Sequence, residues 1–241
     1  MKLMTWNIQA AIATAGYSQY LTRAHRQVFH TRSKASILET IAETIRSTDI
    51  VCLQEVDLGG RRAGYRCQAN AIAELSEHEH LAIQENRVVR GISRHGNAIL
   101  SHYPLQDIRD LKLPGRVPGR GCLIATVEAE ISFDVVCVHL SLGRKDQERQ
   151  LDFIADNLPR HGRWVVMGDF NCGLHASAIE GFLGRMRTEL THQAVPTYPA
   201  WKPQQAYDHI LTGPALDLSH YHHGTEICSD HLNVRAELDA A

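Results

Sequence analysis

Eight polar residues stand where apolar runs of this chain begin or end: Asn7, Glu55, His139, Asp169, Asn171, Asp208, Asp230 and His231. Asn7 closes LMTWN, Glu55 closes DIVCLQE, His139 closes FDVVCVH and Asp169 closes WVVMGD. Asp208 opens DHIL, and Asp230-His231 directly precede LNVRAEL. One such residue is only the chain leaving its core. The set is chemistry. Carboxylate and amide oxygens suit Mg²⁺ or Mn²⁺, hard cations that take oxygen ligands and keep several waters. Imidazoles accept and donate protons near neutral pH. Together they match metal-assisted attack of water on a phosphoryl group, with donors for the developing charge.

Positioning these residues needs strands that converge on one edge. Short runs rich in Val, Ile and Leu predict strands over 2–8, 49–56, 97–101, 122–130, 133–140, 164–168, 208–212 and 232–238. Some of these runs end at a candidate residue and others start at one, so neighbouring strands run in opposite senses. The sheets are therefore expected to be mixed or antiparallel. Between them, 33–47, 68–78 and 144–158 carry helical periodicity; Ile37, Ile41 and Ile45 mark the stripe of the first. The architecture this predicts is α/β, two sheets face to face with helices outside. Alternation places Val51, Leu53 and Glu55 on one strand face, and Asp169 with Asn171 if that segment is extended. Residues 9–32 are polar and basic without clear periodicity and read as a surface loop, uncommon at that length unless functional.

The segments TWNIQ (5–9), LQEVD (53–57), GNAILS (96–101), VHLSLG (138–143), GDFN (168–171), YDHIL (207–211) and SDHLNV (229–234) together resemble the endonuclease/exonuclease/phosphatase superfamily, in order and over nearly the whole chain. That resemblance implies a four-layered α/β sandwich, one catalytic domain over 1–241, and a Mg²⁺- or Mn²⁺-dependent phosphoesterase. Carried over, Glu55 resembles the principal metal-ligating glutamate, Asn7 the asparagine that orients the metal site, and Asp230 an additional metal-site aspartate. His231 resembles the histidine that polarises the attacking water, and Asp208 the aspartate bonded to its imidazole, a pairing that fixes a tautomer. Asp169 sits where the family contacts nucleophile or leaving group, and either it or His231 is the base. Asn171 and His139 resemble donors to the phosphoryl oxygens. Where many relatives carry Tyr or Arg after the aspartate, this chain has His209, a weaker phosphate contact.

Composition bounds the rest. The chain has 241 residues, 25 Lys+Arg against 27 Asp+Glu, a net charge of −2 and 44% hydrophobic residues. That excludes disorder and a polyanion binder acting through bulk charge. No run approaches a membrane span. The absence of a signal-like start makes the cytoplasm the default expectation. The six cysteines lack a C-x-x-C pair and read as reduced core residues. Basic residues collect in three stretches: Lys2, Arg23, Arg26, Arg32 and Lys34; Arg87, Arg90 and Arg94; and Lys112, Arg116 and Arg120. Arg120, which opens a predicted strand, is the strongest candidate for substrate contact. A phosphate ester, with nucleic acid as a candidate, is the expected partner, without membrane insertion or an obligate protein partner. The alternatives are hydrolysis of a small-molecule or lipid head-group phosphate, and a binding module that kept the sandwich but lost catalysis. The presence of every metal and base position argues against the last.

Overall fold

The computed structural model describes residues 1–12, 16, 32–160 and 162–240. One mixed sheet contains β1 (Lys2–Asn7), β2 (Ile50–Asp57), β3 (His80–Val89), β4 (Ser93–Ser101), β10 (Leu216–His223) and β11 (Val234–Ala240), in the order β10-β11-β1-β2-β4-β3. The other runs in sequence through β5 (Leu105–Lys112), β6 (Gly121–Val127), β7 (Phe133–His139), β8 (Trp164–Asp169) and β9 (Asp208–Thr212). The helices are α1 (Arg32–Ile45), α2 (Gln68–Ser76), α3 (Arg144–Asp156) and α4 (Ser177–Met186).

Three apolar layers hold four layers of structure together. Ile41 and Ile45 of α1 and Ile72 of α2 pack on Met4, Trp6, Val51 and Leu53, the outer face of the six-stranded sheet. Leu3, Ile50, Cys52 and Ile99 meet Leu123, Val135, Cys137 and Met167 between the sheets. Val136, Val138 and Val166 carry Leu151 and Ile154 of α3 and Phe182 and Met186 of α4 on the far side. The sandwich expected from strand polarity and from the resemblance is therefore the observed fold. All six cysteines are free, and four of them are buried.

The strand directions match the sequence argument. β1 pairs β2 in parallel and β11 antiparallel; β7 pairs β8 in parallel, and β8 pairs β9 antiparallel. The C-terminal ends of β1, β2, β7 and β8 thus meet the N-terminal ends of β9 and β11.

Three expectations are corrected. Strands β3, β5 and β10 carry no strong apolar alternation, since much of each is half-buried or exposed, unlike the other edge strand β9, which is buried throughout. Helix α4 was missing from the sequence pattern; its sequence SAIEGFLGRM includes two glycines, yet it buries Ile179, Phe182 and Met186. The supposed surface loop starts inside the core: Gln9, Ala10 and Ala11 form a buried 3₁₀ turn. Arg23 and Arg26 of that stretch lie outside the described residues. Among the described residues, no helix is long and apolar enough to cross a membrane.

Candidate active site

At the shared edge, the five-stranded sheet contributes a ladder row. His139, Asp169 and Asp208 are direct cross-strand neighbours on β7, β8 and β9, so their side chains leave the same face, towards the other sheet. The close packing that makes the row compact depends on Gly168. A Cβ there would stand 2.0 Å from the Val138 carbonyl oxygen, far inside contact distance, so no other residue fits without parting β7 from β8.

The six-stranded sheet reaches the same place by irregular backbone. Val51 and Leu53 face the helix layer, and strict alternation would send Glu55 there too. Instead the pairing of β2 with β4 shifts register between Leu53 and Val56, and Glu55 has φ +55°. This β-bulge re-aims the carboxylate to the inner side, which corrects the alternation argument. Asn171 likewise is not extended: at φ +52° it closes a turn in which its N–H donates to Asp169 Oδ1 at 2.9 Å.

Asn7 joins the halves. Its Nδ2 donates to Glu55 Oε1 at 3.3 Å and to Asp169 Oδ2 at 3.0 Å, while its Oδ1 accepts from the Gln9 N–H at 3.1 Å. Asn7 therefore holds carboxylates in place with its amide nitrogen. Gln9 extends the chain of contacts, donating from Nε2 to Asp230 Oδ2 at 3.0 Å. The loop before β11 is pinned by Ser229 Oγ, which donates to the Asn7 carbonyl at 2.6 Å, and by Trp6 Nε1, which donates to the His231 carbonyl at 3.0 Å.

His231 Nδ1 lies 2.8 Å from Asp208 Oδ2, an oxygen that also accepts from Thr197 Oγ1. A carboxylate accepts, so Nδ1 carries the proton, and Nε2 turns towards Asp169, 4.0 Å from its Oδ2. His139 Nε2 is 3.4 Å from the same oxygen. Asn171 donates from Nδ2 to the Leu140 carbonyl at 2.9 Å, which sets its amide beside the row.

The electrostatics divide the site's groups. Burial alone would lower His231, but Asp208 and Asp169 outweigh it and hold the imidazole well above its usual range. His139 goes well below, through burial and the charge of Arg120. Burial lifts Asp169 to about 7, with help from Asp208. Burial and the nearby Asp230 charge also raise Glu55.

Oxygen donors that burial and mutual repulsion push towards protonation fit a divalent cation, whose charge would favour the ionised forms. Asp169, Asp208 and His231 also lie close enough to one another for a metal. However, Asp208 Oδ2 is already shared by His231 and Thr197, which suits a proton-handling pair better.

Arg120 lines a cavity of about 160 Å³ together with Glu55 and His139, so the expected contact residue is at the site. His209 is not. It is fully buried on the opposite face of β9 from Asp208, with Nε2 on the Cys172 carbonyl at 2.8 Å and its ring edge against Phe170. Lys34 is also buried, donating to the Arg62 carbonyl, rather than framing a basic rim. Gln9, Thr197 and Ser229 were not foreseen as site residues. Gln9 and Ser229 lay in noted segments, TWNIQ and SDHLNV, whereas Thr197 reaches Asp208 through an excursion between α4 and β9 that has no periodic signal.

Known proteins resemble this chain in sequence or in fold. The uncharacterized protein YbhP of Escherichia coli K12 is 29% identical over 230 residues, covering 84% of this chain and 88% of that protein. A structure of an endonuclease/exonuclease/phosphatase from Beutenbergia cavernae superposes with a TM-score of 0.77 at 21% identity, covering 100% of this chain and 72% of that one. The human Nocturnin catalytic domain, solved with a bound sulfate anion, gives a TM-score of 0.69 at 16% identity, covering 100% and 94%. The family model described as Endonuclease/Exonuclease/phosphatase family matches residues 4–231, and the chain belongs to that family.

Proposed function

We propose that this protein hydrolyses a phosphodiester with the help of Mg²⁺ or Mn²⁺, and that its substrate is nucleic acid. The observation that carries the reading is the double hydrogen bond of Asn7 Nδ2 to Glu55 and Asp169. It ties Glu55 to Asp169, whose Oδ2 stands 4.0 Å from Nε2 of His231 in the buried Asp208–His231 pair, within one cluster. Glu55 and Asp230 would hold the metal, with Asn7 and Gln9 fixing their orientation. When bound, the metal supplies positive charge to a nonbridging phosphoryl oxygen.

The chain's own groups do the rest. Asp208 keeps the proton on His231 Nδ1. Because Asp208 and Asp169 hold the imidazole well above its usual range, the neutral form, whose Nε2 lone pair faces water, grows as pH rises. Water's oxygen bonds to phosphorus as its proton passes to Nε2, and the bond from phosphorus to the leaving oxygen breaks. Asp169, raised to about 7, holds the proton that the leaving alkoxide takes. Asn171 and neutral His139 donate to the equatorial oxygens as their charge grows. The products are a phosphomonoester and an alcohol.

Small-molecule phosphodiesters form the second reading, favoured by the modest size of the cavity beside Glu55. A substrate panel with Mg²⁺ tests both: plasmid, abasic duplex, single-stranded RNA, nucleotides, inositol phosphates, lipid head groups and bis(4-nitrophenyl) phosphate. Cleavage of nucleic acid that disappears in excess EDTA is the expected result. Turnover only of small esters would replace the nuclease reading, and full activity in EDTA would refute the metal.

A further inference from the structure

The cavity beside Glu55 is also lined by groups that the hydrolytic chemistry does not use. Arg87 comes from the end of β3, His95 from β4, and Arg120 from the loop preceding β6. Neither Arg87 nor Arg120 makes an ion pair within 4.0 Å among the described residues, whereas Arg94 pairs with Glu85 and Arg62 with Asp57. The two free guanidiniums are close enough for the charge of Arg87 to act on Arg120. Asp169 and Glu55 offset part of the charge of Arg120 from a distance, and a bound anion in direct contact would relieve the remaining repulsion between the two guanidiniums.

His95 is set up as a neutral donor towards the same space. Arg62 is buried, and its Nη2 lies 3.2 Å from His95 Nδ1. A guanidinium can only donate, so Nδ1 must be the lone-pair nitrogen and the proton sits on Nε2, the atom left for the cavity. Arg62 is itself fixed: buried Asp57 accepts from its Nε, and the other oxygen of Asp57 accepts the N–H groups of Gly59 at 3.1 Å and Gly60 at 2.6 Å. Arg62 is thus a positioning residue for a tautomer. Arg87 is also held. Gly119, at φ +98°, lies so near its stem that a Cβ would meet Arg87 Cβ at 2.8 Å. Only glycine lets that loop press on the arginine and aim its head inward.

Resting on the hydrolase reading above, we propose that Arg87, His95 and Arg120 form an anion subsite that receives a terminal phosphate group of the substrate, next to the phosphoester being cleaved. Glu55, beside which the scissile phosphate would lie, lines the same cavity as Arg87 and His95. About 160 Å³ is the space of roughly five waters at ~30 Å³ each. One phosphate group fills that space, and a terminal monoester, with its second negative charge, meets two guanidiniums better than an internal diester does. The subsite therefore selects chain ends, or small molecules bearing two phosphates, over internal positions.

The test measures binding by calorimetry in Mg²⁺ with dithymidine joined by an uncleaved methylphosphonate, which carries no linkage charge. Three forms are compared: without terminal phosphate, 5′-phosphorylated and 3′-phosphorylated. One phosphorylated form is expected to bind about tenfold tighter or more, the value of a charge-assisted contact. Arg87→Gln should reduce that gain to about twofold or less. His95→Ala should shrink the gain as well, whereas His95→Gln, whose amide N–H reaches the place of Nε2, should keep most of it. A merely structural role for His95 would not separate Ala from Gln when both unfold at the wild-type temperature. Equal affinity for all three forms in the wild type, or a gain that survives both Arg87→Gln and His95→Ala, would overturn the subsite. Turnover of bis(4-nitrophenyl) phosphate and the wider panel reports on the hydrolase reading separately. A binding gain in a protein that cleaves nothing would uphold the subsite and sink that reading.

Discussion

The two sheets supply the candidate site in different ways. The five-stranded sheet offers His139, Asp169 and Asp208 as consecutive neighbours in one hydrogen-bonded row. The six-stranded sheet offers Glu55 from a bulge, Asn7 from the last residue before a tight turn, and Asp230 and His231 from a loop. A row in register fixes distances to the precision of the ladder, which suits proton transfer, where reach is decisive. Irregular backbone held by side-chain bonds can adjust its oxygens, which suits a cation with water in its shell. The bonds from Asn7 to Asp169 and from His231 to Asp208 cross from one half to the other, so neither half is complete alone.

The sharpest way to break this division is to remove the group that bridges it. His231→Ala takes away the proposed base, and kcat should fall about 10²–10⁴-fold. Extra Mg²⁺ should not restore it. Steady-state rates across a metal titration check this; recovery at high metal would show that His231 serves the cation rather than proton transfer.

Asn7→Ala should behave in the opposite way. With the amide gone, Glu55 loses its donor while the ladder row keeps its register. Metal affinity should drop about 10–100-fold, as when groups that orient ligands are lost. Saturating Mg²⁺ should then recover most of kcat. An unchanged metal requirement would show that Asn7 serves only the Asp169 side.

How far each half could be read from sequence follows from the same contrast. The ends of regular strands were legible, because VVCVH, WVVMGD and DHIL announce both a buried strand and the polar residue at its end. The identity of Glu55 was also legible, but its direction was not. A bulge is one extra residue without a composition signature, and alternation pointed the carboxylate at the helices. The two Asp-His pairs show the limit most clearly. Asp208-His209 and Asp230-His231 look alike in sequence, yet β9 alternates His209 into the outer core against Phe170, while the loop before β11 delivers His231 to the site. Thr197 and the arginine–histidine contact behind His95 depend on chance meetings of distant segments, which no local pattern encodes. The edge strands β3, β5 and β10 escaped for a third reason: with much of each half-buried or exposed, they need no apolar run.

The regular half has its own weak point at Gly168. Gly168→Ala would drive a methyl to 2.0 Å from the Val138 oxygen, so β7 and β8 must separate. Overpacking of this kind costs about 1–3 kcal/mol, and urea unfolding should show that loss. Activity should fall as well, since His139 and Asp169 are the next pair in the ladder. Wild-type stability with wild-type rates would mean that the row tolerates slack, and its precision would no longer distinguish it from the bulged half.

The smallest effect concerns acid, and it contrasts a histidine inside the site with one far from it. His231, between two aspartates, is held above its usual range, so any stability it contributes is present at low pH and is lost as pH rises through its folded value. His78 has the opposite sign. Buried below α2, with Nε2 on the Thr48 carbonyl at 2.9 Å and Nδ1 beside Ser76 Oγ at 2.8 Å, it is lowered from 6.5 to about 4 by burial. Below pH 6.5 the unfolded chain takes a proton that the folded chain refuses until about pH 4. The folded state therefore loses stability as pH falls through that window. His95 and His192 are lowered to about 4 by the same cause and add to the slope. Urea midpoints of the wild type should thus decline between pH 6.5 and 4, and His78→Gln should decline less steeply. Parallel curves for the two proteins would mean that His78 takes up its proton without a penalty from burial, leaving the other histidines that burial lowers to account for the slope.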